Sequence, residues 1–268
     1  MPTGRGGGVG GTLTVLVILL VAMALGFDPT SLMRDDVPNP PTINSANTFP
    51  ATRADKDDLA DFVRVVAKEN EDLWSRLFAD NNLDYTPAII VLYSGRTGSG
   101  CGQANASTGP FYCPSDHKVY IDLTFYEHLR ARFGAPGDFA QAYVIAHEIG
   151  HHVQQLTGVL SAFNQARPQL NADEANQWSV RIELQADCYA GVWAAYAGQE
   201  NLFDRGDIAE ALNAANQIGD DTLQKRMQGF AVPKSFNHGT SEQRQRWFQI
   251  GLVQADPAAC DTFGAVRL

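Results

Sequence analysis

Basic residues are in short supply in this chain: 20 Lys and Arg stand against 30 Asp and Glu, a formal net charge of -10. Binding to nucleic-acid phosphates needs a basic face, so this balance excludes nucleic acid as an expected partner. No internal repeat recurs along the chain, and no pair of its cysteines has C-x-x-C spacing. The second absence argues against a cysteine zinc site and against thioredoxin-like redox chemistry. Charge of either sign is missing between Arg5 and Asp28. What remains is ordinary for a globular protein: 44% hydrophobic and 10% aromatic residues over 268 positions, enough for one domain with a sizeable core.

The uncharged stretch includes the almost wholly apolar run Thr12 to Phe27. With its glycine-rich lead-in it is about long enough to cross ~30 Å of hydrocarbon. Arg5 precedes it, whereas Asp28, Asp35 and Asp36 follow, so the positive-inside bias leaves the N-terminus inside and the remainder outside. The expectation is an uncleaved single-pass anchor in the cell membrane with the main domain extracytoplasmic. The alternative is a removable signal peptide cut near Ala22-Met23-Ala24, giving a secreted protein. The resulting division is 1–27 for this segment, 28–53 for a Pro-rich linker and 54–268 for the main domain.

Cysteine usage agrees with export. Cys101, Cys113, Cys188 and Cys260 are even in number, which reads as two disulfides with three possible connectivities. A bridge between Cys101 and Cys113 would pin a segment rich in Gly, Ser and Ala. Cys188 and Cys260 would then tie the C-terminal tail to a helix.

Apolar spacing predicts a helix from Lys56 to Ala79 with a stripe of Leu59, Phe62, Val63, Val66, Leu73, Trp74 and Leu77. Ala88 to Tyr93 and Lys118 to Leu123 read as strands, and Ser94 to Ser115 as loop. A short helix is expected over Thr124 to Phe133. Longer helices follow over Asp138 to Leu156, with Asp138 as N-cap, and over Ala172 to Ala197. Two shorter ones are expected over Asp207 to Gln217 and Ser241 to Ala255. The sum is a helix-dominated α+β domain with a small sheet beside the central helices.

One of those helices carries His147-Glu148-Ile149-Gly150-His151, an H-E-x-x-H sequence. At about 100° per residue His147 and His151 lie roughly 40° apart and one turn along the axis, so both imidazoles reach one ion. Glu148 is turned about 100° from His147, beside the metal rather than on it, which suits a base acting on water. A catalytic zinc takes three protein ligands and keeps one open position. The next helix offers Glu183 and Asp187, again on one face among Ala, Leu and Val. Buried acids without a partner are costly, and a cation there stabilises them. Glu183 is therefore expected as third ligand, and Asp187 as acceptor of a hydrogen bond from a ligand imidazole. The bland reading of that face is a solvated acidic stripe.

The runs Gln141 to His152 and Ser179 to Cys188 resemble the putative neutral zinc metallopeptidase family of bacteria. So do Gly109 to Pro114 and His238 to Arg244. The likeness covers roughly Asp57 to Phe263 and implies a zincin-like metallopeptidase domain, with the small sheet beside the H-E-x-x-H helix. A wider likeness is to the membrane gluzincins of the CAAX-protease kind, whose pattern adds E-x-x-x-D and then a His six residues before an Arg. Residue by residue, it implies His147, His151 and Glu183 on one catalytic zinc, Glu148 as base and Asp187 behind the ligands. His238 and Arg244 fall at the late His and Arg. Gly239 departs from that pattern, which has Pro after the His, so the loop there is expected to differ in shape.

The implied reaction is hydrolysis of peptide bonds in envelope or extracytoplasmic substrates. Glu148 moves the proton of the attacking water, and His238 donates to the oxyanion. The competing role for His238 is a helix cap ahead of Ser241. The strand Lys118 to Leu123 is expected to receive substrate as an added strand. Two other functions use the same residues: a zinc-binding envelope protein that no longer cleaves, and a zinc hydrolase of another amide or ester bond.

Overall fold

The expected apolar stripe folds as α1 (Arg53–Asp80). Val63, Val66, Leu73 and Trp74 are buried by it, with Leu59, Phe62 and Leu77 partly covered alongside. The computed structural model describes residues 53–105, 108–125, 137–204 and 206–268. The expected anchor or signal over 1–27, nearly all of the linker over 28–53 and most of the short helix over 124–133 lie outside those residues.

Among the described residues no helix is long and apolar enough to cross a membrane. The single-pass membrane assignment is corrected accordingly. The two longest helices, of 28 residues each, have charged residues spread along them and bury one face in a protein core instead.

Five strands follow α1: β1 (Ile89–Tyr93), β2 (Arg96–Ser99), β3 (Gly102–Asn105), β4 (Phe111–Cys113) and β5 (Lys118–Asp122). The sheet order is β1-β5-β4, with β1 parallel and β4 antiparallel to β5, while β2 and β3 form a separate antiparallel hairpin. This corrects two expectations. The segment read as loop contains three strands, which Gly, Thr, Ser and Gln residues conceal because they carry no apolar alternation. The strand expected to receive substrate, β5, is central and already paired on both edges, so it has no free edge to offer.

The helices that complete the fold are α2 (Asp138–Leu156), α3 (Val159–Ala166), α4 (Ala172–Gln199), α5 (Asp207–Gln217), α6 (Asp220–Gln228) and α7 (Ser241–Gln254). The short helices α3 and α6 are additions to the sequence reading. At the start of α2 the N-cap is Gly137, without a side-chain cap bond, and Asp138 sits in the first turn. The expected N-cap is thus displaced by one residue, and Asp138 still places its charge at the positive end of the helix.

α2 is the centre of the molecule. It packs against α1, α3, α4, α5, β4 and β5, and Tyr143, Ile145, Ala146, Ile149 and Val153 are buried along it. A helix apolar on nearly every side belongs in the interior. α4 runs antiparallel beside it, with Gly150 against Ala186, and α7 lies across the other face of α4.

Glycines set that last contact. A Cβ on Gly191 would lie 2.0 Å from Phe248 O, and one on Gly251 would lie 1.9 Å from Cys188 O. Both neighbours are helix backbone and cannot move aside. Gly251→Ala is expected to push α7 off α4 and cost about 3 kcal/mol, roughly 6–12 °C in Tm for a chain of this size. Thermal unfolding followed by circular dichroism checks it, with Gly229→Ala, at an αL cap with open space around it, as a comparison for ordinary glycine loss.

Candidate metal centre

α2 and α4 bring His147, His151 and Glu183 together, with one donor atom from each lying within 4.8 Å of the others. His147 Nε2 is 3.2 Å from Glu183 Oε2, and His151 Nε2 is 3.6 Å from Glu183 Oε1. Zinc ligands at 2.0–2.1 Å in tetrahedral array stand about 3.4 Å from one another, and these separations bracket that value.

The far nitrogens are also fixed. His147 Nδ1 is 2.8 Å from Asp187 Oδ1, and His151 Nδ1 is 2.8 Å from Gln154 Oε1. Gln154 cannot turn its amide around, because its Nε2 donates to Ile182 O and to Gln185 Oε1. Each Nδ1 therefore donates outward, so that each Nε2, once deprotonated, directs its lone pair at the space beside Glu183. The donor set and its backing fit a zinc ion.

Asp187 is fully buried and accepts from Arg244 through both oxygens, Nε to Oδ2 and Nη2 to Oδ1, each at 2.9 Å. Tyr143 donates its hydroxyl to the same Oδ1. Arg244 thus lies behind the site, 3% exposed, and stabilises the carboxylate that orients His147.

Glu148 accepts from the backbone N–H of Tyr112 on β4 at 2.8 Å. Burial lifts its carboxyl to about 7, against the pull of the neighbouring His147 charge. Burial also opposes charge on His147, but Asp187 and Glu183 hold its proton up to about 10. For Glu183 burial is outweighed by His151, His238 and His147, which keep it well below the usual carboxylate range.

His238 lines the same cleft, with its Nδ1 3.2 Å from Asp220 Oδ1. Asp220 Oδ2 accepts from the backbone N–H groups of Asn237, His238 and Gly239. Gly239 has φ +90. Proline could neither adopt that angle nor donate that hydrogen bond, which accounts for glycine where the gluzincin pattern has proline. The helix cap ahead of Ser241 is Thr240, in a capping box with Gln243, so His238 is not the cap.

Both disulfides are present, Cys101–Cys113 and Cys188–Cys260. The first joins the β2-β3 hairpin turn to β4 in the cleft wall. The second ties the tail to α4, where Gln185 donates to Cys260 O. His152 faces away from the site, between Tyr112 OH and Thr86 O.

Sequence reasoning missed Tyr143, Gln154, Gln185 and Asp220. Tyr143 had a signal, since it lies four residues before His147 and shares its helical face. Asp220 had none, because its partner lies across a loop.

The cleft above this centre holds about 770 Å³, between β3, β4 and the hairpin on one side and α3, α4 and the α5–α6 connection on the other. The family model described as putative neutral zinc metallopeptidase matches residues 2–263, and the chain belongs to that family. Its relatives carry less informative names. It is 44% identical to the uncharacterized protein YpfJ of Escherichia coli K12 over 264 residues, covering 98% of this chain and 88% of that one. It is 45% identical to the uncharacterized protein Rv2575 of Mycobacterium tuberculosis H37Rv over 219 residues, covering 76% and 71%. No solved structure matches the chain.

Removing Arg244 would leave Asp187 buried with one cation fewer. Arg244→Met is expected to destabilise the fold by about 3–5 kcal/mol and to weaken zinc binding about 10–100-fold through the loosened His147. Denaturant unfolding and competitive zinc titration read the two effects separately.

Proposed function

We propose that this protein is a zinc-dependent peptidase in which Glu148 is the general base and acid. The observation that carries the reading is the convergence on one open cleft of the ligand triad, a buried raised-pKa carboxylate and a carboxylate-held histidine. A purely structural zinc closes its coordination with protein ligands and has no use for a base beside it.

His147, His151 and Glu183 would hold one zinc, which supplies Lewis acidity toward the scissile carbonyl and toward water. Glu148 takes the proton of the attacking water and delivers it to the leaving amine. Burial, which raises its carboxyl, favours its taking that proton. Tyr112 N–H holds the carboxylate in place through Oε2. His238, oriented through Nδ1 by Asp220, donates to the oxyanion that develops on the carbonyl. The substrate is a peptide lying extended beside β4, the edge strand that lines the cleft, rather than beside β5.

The test uses oxidised full-length protein, native and as Glu148→Gln, Glu183→Ala and Asp220→Asn. The native chain is expected to bind about one zinc and to cut members of a mixed peptide library, to lose activity on chelation and to regain it with zinc. Glu148→Gln keeps the metal and loses about 10²–10⁴-fold in kcat. Glu183→Ala loses the metal, and Asp220→Asn keeps it but loses about 10²-fold in kcat with His238 misaligned. Zinc bound through the same ligands with no peptide cut by the native chain sinks the peptidase reading. An amide and ester panel then decides between another hydrolase and a binding protein.

A further inference from the structure

The cleft lining is of two kinds. One group is apolar, with Phe125, Val144, Ile218 and Leu223. The other is Phe163 and Arg167 from the α3 end with Asn176 and Ser179 from α4.

Arg167 is distinctive among these. The other acidic, basic and histidine residues lining the cleft are the ligand triad, Glu148, His238 and the buried Arg244, all engaged in the constellation described above. Among the described residues no carboxylate pairs with Arg167. The acids nearest in sequence are taken elsewhere. Glu174 accepts from Asn171 N in the capping box of α4, and Asp173 faces Lys234. In a chain with net charge -10, Arg167 is an exposed cation at the C-terminal end of α3 that stands on the wall of the cleft holding His147, His151 and Glu183 and keeps its guanidinium open to a further anionic partner.

Its position is nonetheless built. The guanidinium lies 5.7 Å from the Phe163 ring centroid, Phe163 stacks on Trp178 at 19°, and Trp178 packs edge-on against Phe263. An arginine braced on an aromatic stack gives up less side-chain freedom when it takes a partner. A planar guanidinium with a free fork is matched to a carboxylate, which it can hold by two parallel hydrogen bonds.

We propose that Arg167 is a specificity residue that binds a carboxylate of the substrate, with an apolar substrate side chain against Phe125, Val144, Ile218 and Leu223. The proposal rests on the peptidase reading and names its substrate class. On α4 the group with Arg167 reaches Asn176, seven residues before Glu183 and so about 10 Å along the helix axis. An extended chain covers that span in about three residues. The carboxylate is accordingly read about three residues from the scissile bond. It comes from an Asp or Glu side chain or from the free C-terminus, two sources with one chemistry.

The experiment uses zinc-loaded full-length protein and matched peptides. Each carries Glu, Gln or Lys about three residues from the cleaved bond, on either side, and ends as a free acid or as an amide. For native protein, kcat/KM is expected to favour one carboxylate form about tenfold over its neutral counterpart, with the difference in KM. The Glu/Gln and acid/amide comparisons tell the two sources apart. In Arg167→Gln the preference collapses to near one, in Arg167→Glu it inverts toward Lys peptides, and Arg167→Lys recovers part of it.

Binding of the same peptides to zinc-loaded Glu148→Gln, with and without Arg167→Gln, is measured by fluorescence anisotropy as a readout independent of turnover. An unchanged preference in Arg167→Gln overturns the proposal while leaving the peptidase reading intact. Arg167-dependent binding of carboxylate peptides that native protein does not cut upholds the subsite and removes the peptidase reading. Peptides neither cut nor bound remove both.

Discussion

The structure turns on one buried carboxylate. Asp187 is wholly removed from water, and an ion in that position costs several kcal/mol unless it is paired and hydrogen-bonded. From α4 its bonds reach two other helices: His147 and Tyr143 on α2 and Arg244 on α7. Folding therefore cannot satisfy Asp187 without also placing the imidazole of His147. The close approach of α7 to α4 through Gly191 and Gly251 follows from the same demand, because it brings Arg244 within reach of the carboxylate.

The other histidine is fixed by a chain of amides rather than by charge. His151 leans on Gln154, Gln154 on Gln185, and Gln185 on the carbonyl of Cys260. The disulfide from Cys260 to Cys188 closes this route back onto α4. One imidazole is thus held by an ion pair and the other by neutral hydrogen bonds and a covalent link. Both arrangements act on the Nδ1 side of the rings, away from the Nε2 atoms that face Glu183.

Much of this was legible in the sequence, for identifiable reasons. α2 and α5 have the expected spans because their apolar spacing is strong and Gly and Pro stand ahead of α2. The clustering of His147, His151 and Glu183 was readable because H-E-x-x-H fixes its own geometry on any helix, and Glu183 with Asp187 repeats the same spacing. The strands β2, β3 and β4 were not, since backbone pairing and a disulfide define them rather than side-chain alternation. Asp220 was illegible because the loop that wraps it is specified by backbone N–H groups, which every residue but proline possesses. The likeness to the gluzincins pointed to His238, and its one mismatch, Gly239, is what permits that wrapping.

The wall of the cleft is organised on the same economy. Tyr112 N–H holds Glu148, and Cys113, the next residue, is bonded to Cys101 at the turn of the β2-β3 hairpin. The strand edge that faces the cleft, the base and the hairpin that borders the opening are therefore one mechanical unit. A substrate lying along β4 would be registered by the same three-residue strand that positions the carboxylate acting on it. Displacing the chain relative to β4 would displace it relative to Glu148 by the same amount. In a peptidase of the proposed kind, alignment of the scissile bond with Glu148 would be set by backbone pairing, which every peptide shares, and selection among peptides would be left to side chains farther along the cleft.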